Sequence, residues 1–195
     1  MNPTAAAKLA LRDQILAARR RLSLLDLGAH AQSLAAQVTQ IPEVRRAAVV
    51  AAYVSVGREP GTGPLIEELR GRGVRVLLPL LQPDNDLDWS AYDGPESLRS
   101  ATRGLLEPTG PRLGLDAITR ADVVLVPGLA VDRRGHRLGR GGGSYDRALA
   151  RVPQDALVCA LLHEGELVDE VPVEPHDRPV DAAVTGTSLV RFEHE

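Results

Sequence analysis

The stretch Val126-Pro127-Gly128-Leu129-Ala130-Val131-Asp132-Arg133-Arg134-Gly135-His136-Arg137-Leu138-Gly139-Arg140-Gly141-Gly142-Gly143-Ser144-Tyr145-Asp146-Arg147 leaves an apolar run, crosses a glycine-rich segment and enters a helical pattern. A buried strand that hands the chain to a helix through such a loop is a building unit of α/β folds. Residues 122–126 read as the strand, because a short Val-rich run without helical period suits a strand buried on both faces. Residues 139–143 read as loop and 145–151 as helix. Working outward, residues 47–54, 74–78 and 156–162 have the same buried-strand character, and 74–78 is stopped by Pro79. In 87–92, Leu87, Trp89 and Ala91 alternate with Asp88 and Ser90, which predicts a strand, and 182–184 reads as a last short one. Helices are expected over 3–22, 26–38 and 64–69. Asn2 is the expected N-cap of the first, with Pro3 at its first position. Residues 107–114 hold two prolines and two glycines and read as loop. Strands alternating with helices predict an α/β layered fold around a largely parallel sheet. No repeat or linker divides the chain, so one domain over 1–195 is expected.

Composition narrows the function classes. The chain is 44% hydrophobic and 25% charged, ordinary for a soluble globular protein. A formal charge of -3 argues against broad capture of nucleic acid. Cys159 is the only cysteine, which precludes an internal disulfide and suits a reducing cytoplasm. No apolar run approaches the ~20 residues that span a bilayer. The N-terminal residues read as a charged helix rather than an export segment. The expectation is a cytoplasmic monomer acting on small molecules, with no nucleic-acid or membrane partner.

Several residues carry candidate chemistry. The loop 139–143 can turn successive backbone N–H groups toward one point, with Arg137 and Arg140 flanking it, an arrangement that suits phosphate oxygens. It is neither a Walker loop, which needs a lysine here, nor a dinucleotide fingerprint, which needs glycine where Ser144 stands. The alternative is a tight structural turn. Asp146 follows directly and either caps the helix or holds Mg²⁺ against phosphates, and the tail offers Asp177 and Asp181 as second carboxylates. Lys8 is the only lysine in an otherwise arginine-based chain. It shares a narrow helical band with Arg12, Ile15, Arg19 and Leu22, consistent with a phosphate contact or with snorkelling at a core edge. Glu59, in the loop after the first strand, is either solvated or a ligand for a polar group. Cys159 reads as core and His136 as a loop residue without catalytic duty.

Together these residues resemble the 5-formyltetrahydrofolate cyclo-ligase family across nearly the whole chain. The likeness is carried by the Lys8–Arg12 spacing, the Glu59 loop, Pro127-Gly128-Leu129, the Asp-x-x-Gly-x-Arg-Leu-Gly-x-Gly-x-Gly-x-Tyr-Asp block from Asp132 to Asp146, and the tail Val171-Pro172-Val173-Glu174-Pro175-His176-Asp177 with Asp181. The resemblance implies an open three-layer α/β/α sandwich with a largely parallel sheet, similar to the sugar-phosphate isomerase and CoA transferase scaffold. It implies ATP- and Mg²⁺-dependent conversion of 5-formyltetrahydrofolate to 5,10-methenyltetrahydrofolate through a phosphorylated formyl group, with release of ADP and phosphate. It assigns ATP to Lys8, Leu9, Ala10, Leu11 and Arg12, and to Arg137, Leu138, Gly139, Arg140, Gly141, Gly142, Gly143, Ser144 and Tyr145. Lys8 and Arg140 become the catalytic cations, Asp146 and Asp181 the Mg²⁺ ligands, and Val54, Glu59 and Tyr145 the folate contacts. Ser144 departs from the family, which usually carries a second tyrosine there. Other readings on such a scaffold are acyl-CoA or sugar-phosphate chemistry, or a nucleotide- or folate-binding protein without turnover.

Overall fold

The computed structural model describes residues 3–193, so the expected cap Asn2 lies outside the described residues. Helix α1 (Pro3–Arg19) is followed by α2 (Leu24–Val38) and the short α3 (Pro42–Arg46). Strand β1 (Val49–Ala51) leads through a loop to α4 (Gly63–Gly71), and then come β2 (Arg75–Leu81) and β3 (Leu87–Ala91). The short β4 (Leu98–Ser100) and β5 (Leu106–Pro108) form a hairpin. A 3-10 turn (Leu115–Arg120) precedes β6 (Val123–Pro127), β7 (Ala130–Asp132) and β8 (Arg137–Leu138). Helix α5 (Ser144–Leu149), β9 (Leu157–Leu161), β10 (Leu167–Val168), β11 (Ala182–Val184) and β12 (Leu189–Arg191) complete the order.

Seven strands form the central sheet in the order β12-β11-β9-β6-β1-β2-β3. Neighbours from β11 to β2 are parallel, and β12 and β3 close the edges antiparallel. Apart from the exposed Arg75 at the start of β2, the inner strands are apolar because both faces are covered. Val50, Val123, Leu125, Leu157 and Cys159 face a core shared with Leu34 and Val38 of α2 and Leu65 and Leu69 of α4. Their neighbours Ala51, Val124, Val126, Val158 and Ala160 face the opposite core, with Trp89, Ile118 and Leu149. The result is a sheet between two helical layers. Each of these large side chains contributes about 1.5–3 kcal/mol on burial.

The expected elements are present with shifted ends. The second helix starts at Leu24, two residues early, because Ser23 and Asp26 form a reciprocal capping box. Residues 42–46 are helical although no helix was expected there, with Pro42 at its first turn, where a missing N–H costs nothing. The first strand ends at Ala51 rather than near Val54, since the chain leaves the ladder for the loop that carries Glu59. Within 107–114, read as loop, Glu107 and Pro108 belong to β5.

Helix α1 packs on the small sheet β10-β7-β8, where Ile15 meets Leu129, Ala130, Leu138 and Val171. Its C-terminal end is clasped by a buried ion pair. Arg19 Nε and Nη2 donate to the two carboxylate oxygens of Glu166 at 2.7 and 2.9 Å, and Nη2 also donates to Gly128 O at 2.6 Å. Breaking one partner leaves an uncompensated buried charge, so Glu166→Ala is expected to lower stability by roughly 3–5 kcal/mol in urea denaturation. The double replacement Arg19→Met with Glu166→Leu is expected to recover most of that loss, since an apolar pair removes the buried charges altogether.

Candidate active site

The strand order reverses between β1 and β6: the chain moves from β1 to β2 on one side, and from β6 to β9 and β11 on the other. In open α/β sheets the crevice outside the carboxyl ends of the strands at such a point is where ligands bind. A cavity of about 530 Å³ opens there. Its polar wall comes from Tyr53, Val54 and Glu59 after β1, from Pro127 and Gly128 after β6, and from residues 137–146. Lys8, Arg12 and Arg19 of α1 and the tail residues Glu174, His176 and Asp177 close one side, and Pro79, Leu81, Leu87, Leu105 and Leu106 form an apolar wall. The size, and an apolar wall facing a highly charged one, suit a small organic ligand that carries charge.

The glycine loop is shaped for an anion. Gly141 and Gly143 hold φ of +97° and +68°, a left-handed backbone that side chains disfavour. Among the described residues, no group accepts a hydrogen bond from the backbone N–H groups of residues 140–143, and residues 140–142 are exposed. Helix α5 has only six residues, so the loop amides and the cations around them, rather than a helix dipole, supply the positive field.

Each cation near the loop rests on an acid or a carbonyl. Lys8, 5% exposed, donates to Glu174 Oε2 at 2.8 Å and Asp177 Oδ2 at 2.6 Å. Burial opposes the charge on Lys8, but the bonds to Asp177 and Glu174 outweigh it and hold the ammonium pKa above its usual value. Burial likewise pushes Asp177 up, and the bonds from Lys8 and from Glu174 N–H bring it below the ordinary carboxylate range. Arg12 Nε donates to Gly139 O at 2.9 Å, with its guanidinium against Gly141. Arg137 is buried, donating to Pro127 O and Asp146 Oδ1, both at 3.1 Å. Arg140 Nε donates to Glu59 Oε1 at 3.0 Å, while Glu59 Oε2 accepts from Val56 N–H at 2.9 Å.

Among the described residues, two phenols on the cavity wall have buried hydroxyls without a hydrogen-bond partner, Tyr53 and Tyr145. Burial and the Glu59 charge push both phenol pKa values up, so each remains a donor. A buried donor left unpaired costs about 1–3 kcal/mol.

The structure brings together Lys8, Arg12, Val54, Glu59, Arg137, Leu138, Gly139, Arg140, Gly141, Gly142, Gly143, Ser144, Tyr145 and Asp146. It does not bring Leu9, Ala10 and Leu11 to the cavity wall. Residues i and i+4 of a helix share a face, so Lys8 and Arg12 reach the site together, while Leu9 and Ala10 are exposed and Leu11 packs on the small sheet. Nor does it place Asp181 there. Asp181 Oδ2 accepts from Val158 N–H at 2.7 Å, beside the amino end of β9. Val158 lies three residues, or about 10 Å, below the carboxyl end of that strand. Asp177 and Glu174 take the place on the wall expected for Asp181. Tyr53, Arg19 and the apolar wall were not anticipated. An apolar strand end gives no local signal that the aromatic ring just beyond it lines a cavity.

Fold and site together define an α/β protein with a charged and partly apolar cavity at the carboxyl ends of its strands. The model of the 5-formyltetrahydrofolate cyclo-ligase family matches residues 4–186, and the chain belongs to that family. It is 49% identical over 133 residues to the 5-formyltetrahydrofolate cyclo-ligase of Mycolicibacterium smegmatis, covering 66% of this chain and 68% of the relative. To the enzyme of that name from Escherichia coli it is 34% identical over 161 residues, covering 81% and 88%. The solved structure of Aquifex aeolicus 5,10-methenyltetrahydrofolate synthetase superposes with a TM-score of 0.83 at 28% identity, covering 96% of this chain and 94% of that one.

The Lys8 clasp gives a pH signature. A depressed Asp177 contributes stability above the ordinary carboxylate pKa near ~3.9, and loses it as pH falls through the lower folded value. A raised Lys8 contributes below its ordinary pKa near ~10.4, and loses it as pH rises through the higher folded value. The melting-temperature difference between the wild type and Lys8→Met is therefore expected to be widest between about pH 5 and 9 and to shrink at both extremes. A difference independent of pH would remove the charge pairing as its cause.

Proposed function

We propose that this cavity converts 5-formyltetrahydrofolate to 5,10-methenyltetrahydrofolate at the expense of ATP. The amides of residues 140–143, facing no acceptor among the described residues, carry this reading, because they offer the triphosphate a ready set of donors. Lys8, Arg12 and Arg140 stand around the same loop and supply charge-assisted bonds. Glu59, anchored by Val56 N–H, presents a carboxylate to the amino-pyrimidinone edge of the pterin, with Val54 and Tyr145 beside it. The apolar wall from Pro79 to Leu106 covers the remainder of the folate.

The formyl oxygen attacks the terminal phosphorus of ATP, and ADP leaves. N10 then attacks the formyl carbon and loses its proton, and the former formyl oxygen departs within phosphate. The chemistry needs alignment and charge neutralisation more than an acid–base pair. Arg140 and Lys8 neutralise the moving phosphoryl group. Magnesium supplies further neutralisation when bound with the nucleotide. Its oxygen-rich chemistry fits Asp146, the carboxylate that ends the loop and lines the cavity.

No helix among the described residues is long and apolar enough to cross a membrane. The lone buried Cys159 and the mild net charge support a cytoplasmic setting.

Mixing the protein with ATP, Mg²⁺ and 5-formyltetrahydrofolate is expected to give methenyl absorbance and ADP in equal amounts. ADP without the methenyl product, or neither, would refute the reading. Asp146→Asn is expected to move the Mg²⁺ saturation curve upward by roughly tenfold. An unmoved curve would take Asp146 out of the metal site.

A further inference from the structure

The ion pair between Arg140 and Glu59 joins two residues that the proposed reaction assigns to different substrates. Arg140 belongs to the nucleotide loop and Glu59 to the folate edge, 81 positions apart in the chain. Their atoms meet at 3.0 Å across the cavity. Glu59 is the fixed half: its side chain is 8% exposed, and its second oxygen is held by Val56 N–H. Arg140 is the movable half, 55% exposed and set between Gly139 and Gly141. A guanidinium on such a loop can be redirected by rotation about the neighbouring glycines.

We propose that Glu59 is a positioning residue for Arg140, and that exchange of this ion pair couples nucleotide binding to folate binding. The inference rests on the proposed reaction. An amino-pyrimidinone edge that takes the Glu59 carboxylate through its two N–H donors competes with Arg140 for the same acceptor. A triphosphate in the glycine loop competes with Glu59 for Arg140. Either ligand alone must break the pair, and the second arrives to find it broken. Each substrate therefore strengthens the other by the same factor, as linkage requires. Because one partner is more than half exposed, the factor is modest, about three- to tenfold. The arrangement leaves Arg140 turned away from the phosphates while folate is absent, which disfavours wasteful ATP hydrolysis.

The test is a calorimetric titration with a non-hydrolysable ATP analogue and Mg²⁺, with and without saturating 5-formyltetrahydrofolate. In the wild type, folate is expected to lower the nucleotide Kd about three- to tenfold, and the nucleotide to lower the folate Kd equally. Glu59→Gln removes the charge that holds Arg140. It is expected to strengthen nucleotide binding without folate to the folate-saturated wild-type value, although the substitution lies in the folate site. Arg140→Ala is expected to bring the coupling ratio to one, and it decides the matter if Glu59→Gln does not fold. A wild-type ratio of one, or nucleotide binding unchanged or weakened in Glu59→Gln, overturns the coupling. Should the wild type turn over both substrates without such coupling, the reaction stands and this inference falls. Absence of nucleotide binding overturns both.

Discussion

The buried carboxylate of Asp132 is the fastening on which the site depends. One oxygen accepts from the N–H groups of Arg134 and His136 at 2.9 and 3.0 Å. The other accepts from the His136 ring at Nδ1, 2.9 Å away, and from Val171 N–H at 3.1 Å. Burial pushes this carboxyl up, and these bonds outweigh it and hold it below the ordinary range. The first set closes the turn between β7 and β8, and so aims the glycine loop that follows β8. The bond to Val171 fixes the start of the tail, whose Glu174 and Asp177 seize Lys8 and thereby dock α1. At Gly135 the turn has φ of +82°, and a Cβ would stand 2.5 Å from Val180 O, so only glycine lets the tail pass this close. The spacing from Asp132 to Gly135 thus describes the support of the loop rather than a group that meets substrate, and His136 belongs to that support.

The charges on the cavity wall are largely paired among themselves: Lys8 with Glu174 and Asp177, Arg137 with Asp146, Arg140 with Glu59. Partly buried ions left alone would be costly, so the pairing keeps a highly charged crevice stable before ligands arrive. It also explains why one lysine persists in an arginine-based chain. Lys8 bonds two separate carboxylates at once. A compact ammonium with three donors satisfies both, whereas the planar guanidinium fork matches a single carboxylate best. Arg19 shows the converse, meeting Glu166 with that fork.

How much of this was legible in the chain follows from how local each signal is. The inner strands were readable because burial on both faces leaves an unbroken apolar run, as in Val123–Pro127 and Leu157–Leu161. The two- and three-residue strands β7, β8, β10 and β12 were not, since so few residues establish no period. In the site, the glycine loop, Asp146 and the Lys8–Arg12 pair were readable because backbone freedom and helical spacing are local properties. The tail was not. Its prolines and lack of period leave no way to tell which of Asp177 and Asp181 faces the cavity. That choice is made by β11, whose parallel pairing with β9 carries Asp181 to the amino end of the sheet.

The crevice itself is a consequence of strand pairing. Strand β1 meets β6 through only Val50↔Val123 and Ala51↔Val124, whereas β6 continues against β9 as far as Pro127↔Leu161. The amino end of the β1–β6 joint is reinforced by Asp122, whose Oδ2 accepts from Ala48 and Val49 N–H at 2.8 and 2.9 Å. The joint is therefore held firmly at one end and released at the other. Past Ala51 the two chains diverge, one toward Glu59 and the other toward Gly128 and the glycine loop. The Glu59 carboxylate and the amides of the glycine loop come from opposite lips of the same opening, and the ion pair between Arg140 and Glu59 bridges them. A longer β1 pairing would close this gap and leave the two half-sites no common space, so the early end of that strand is a requirement of the chemistry.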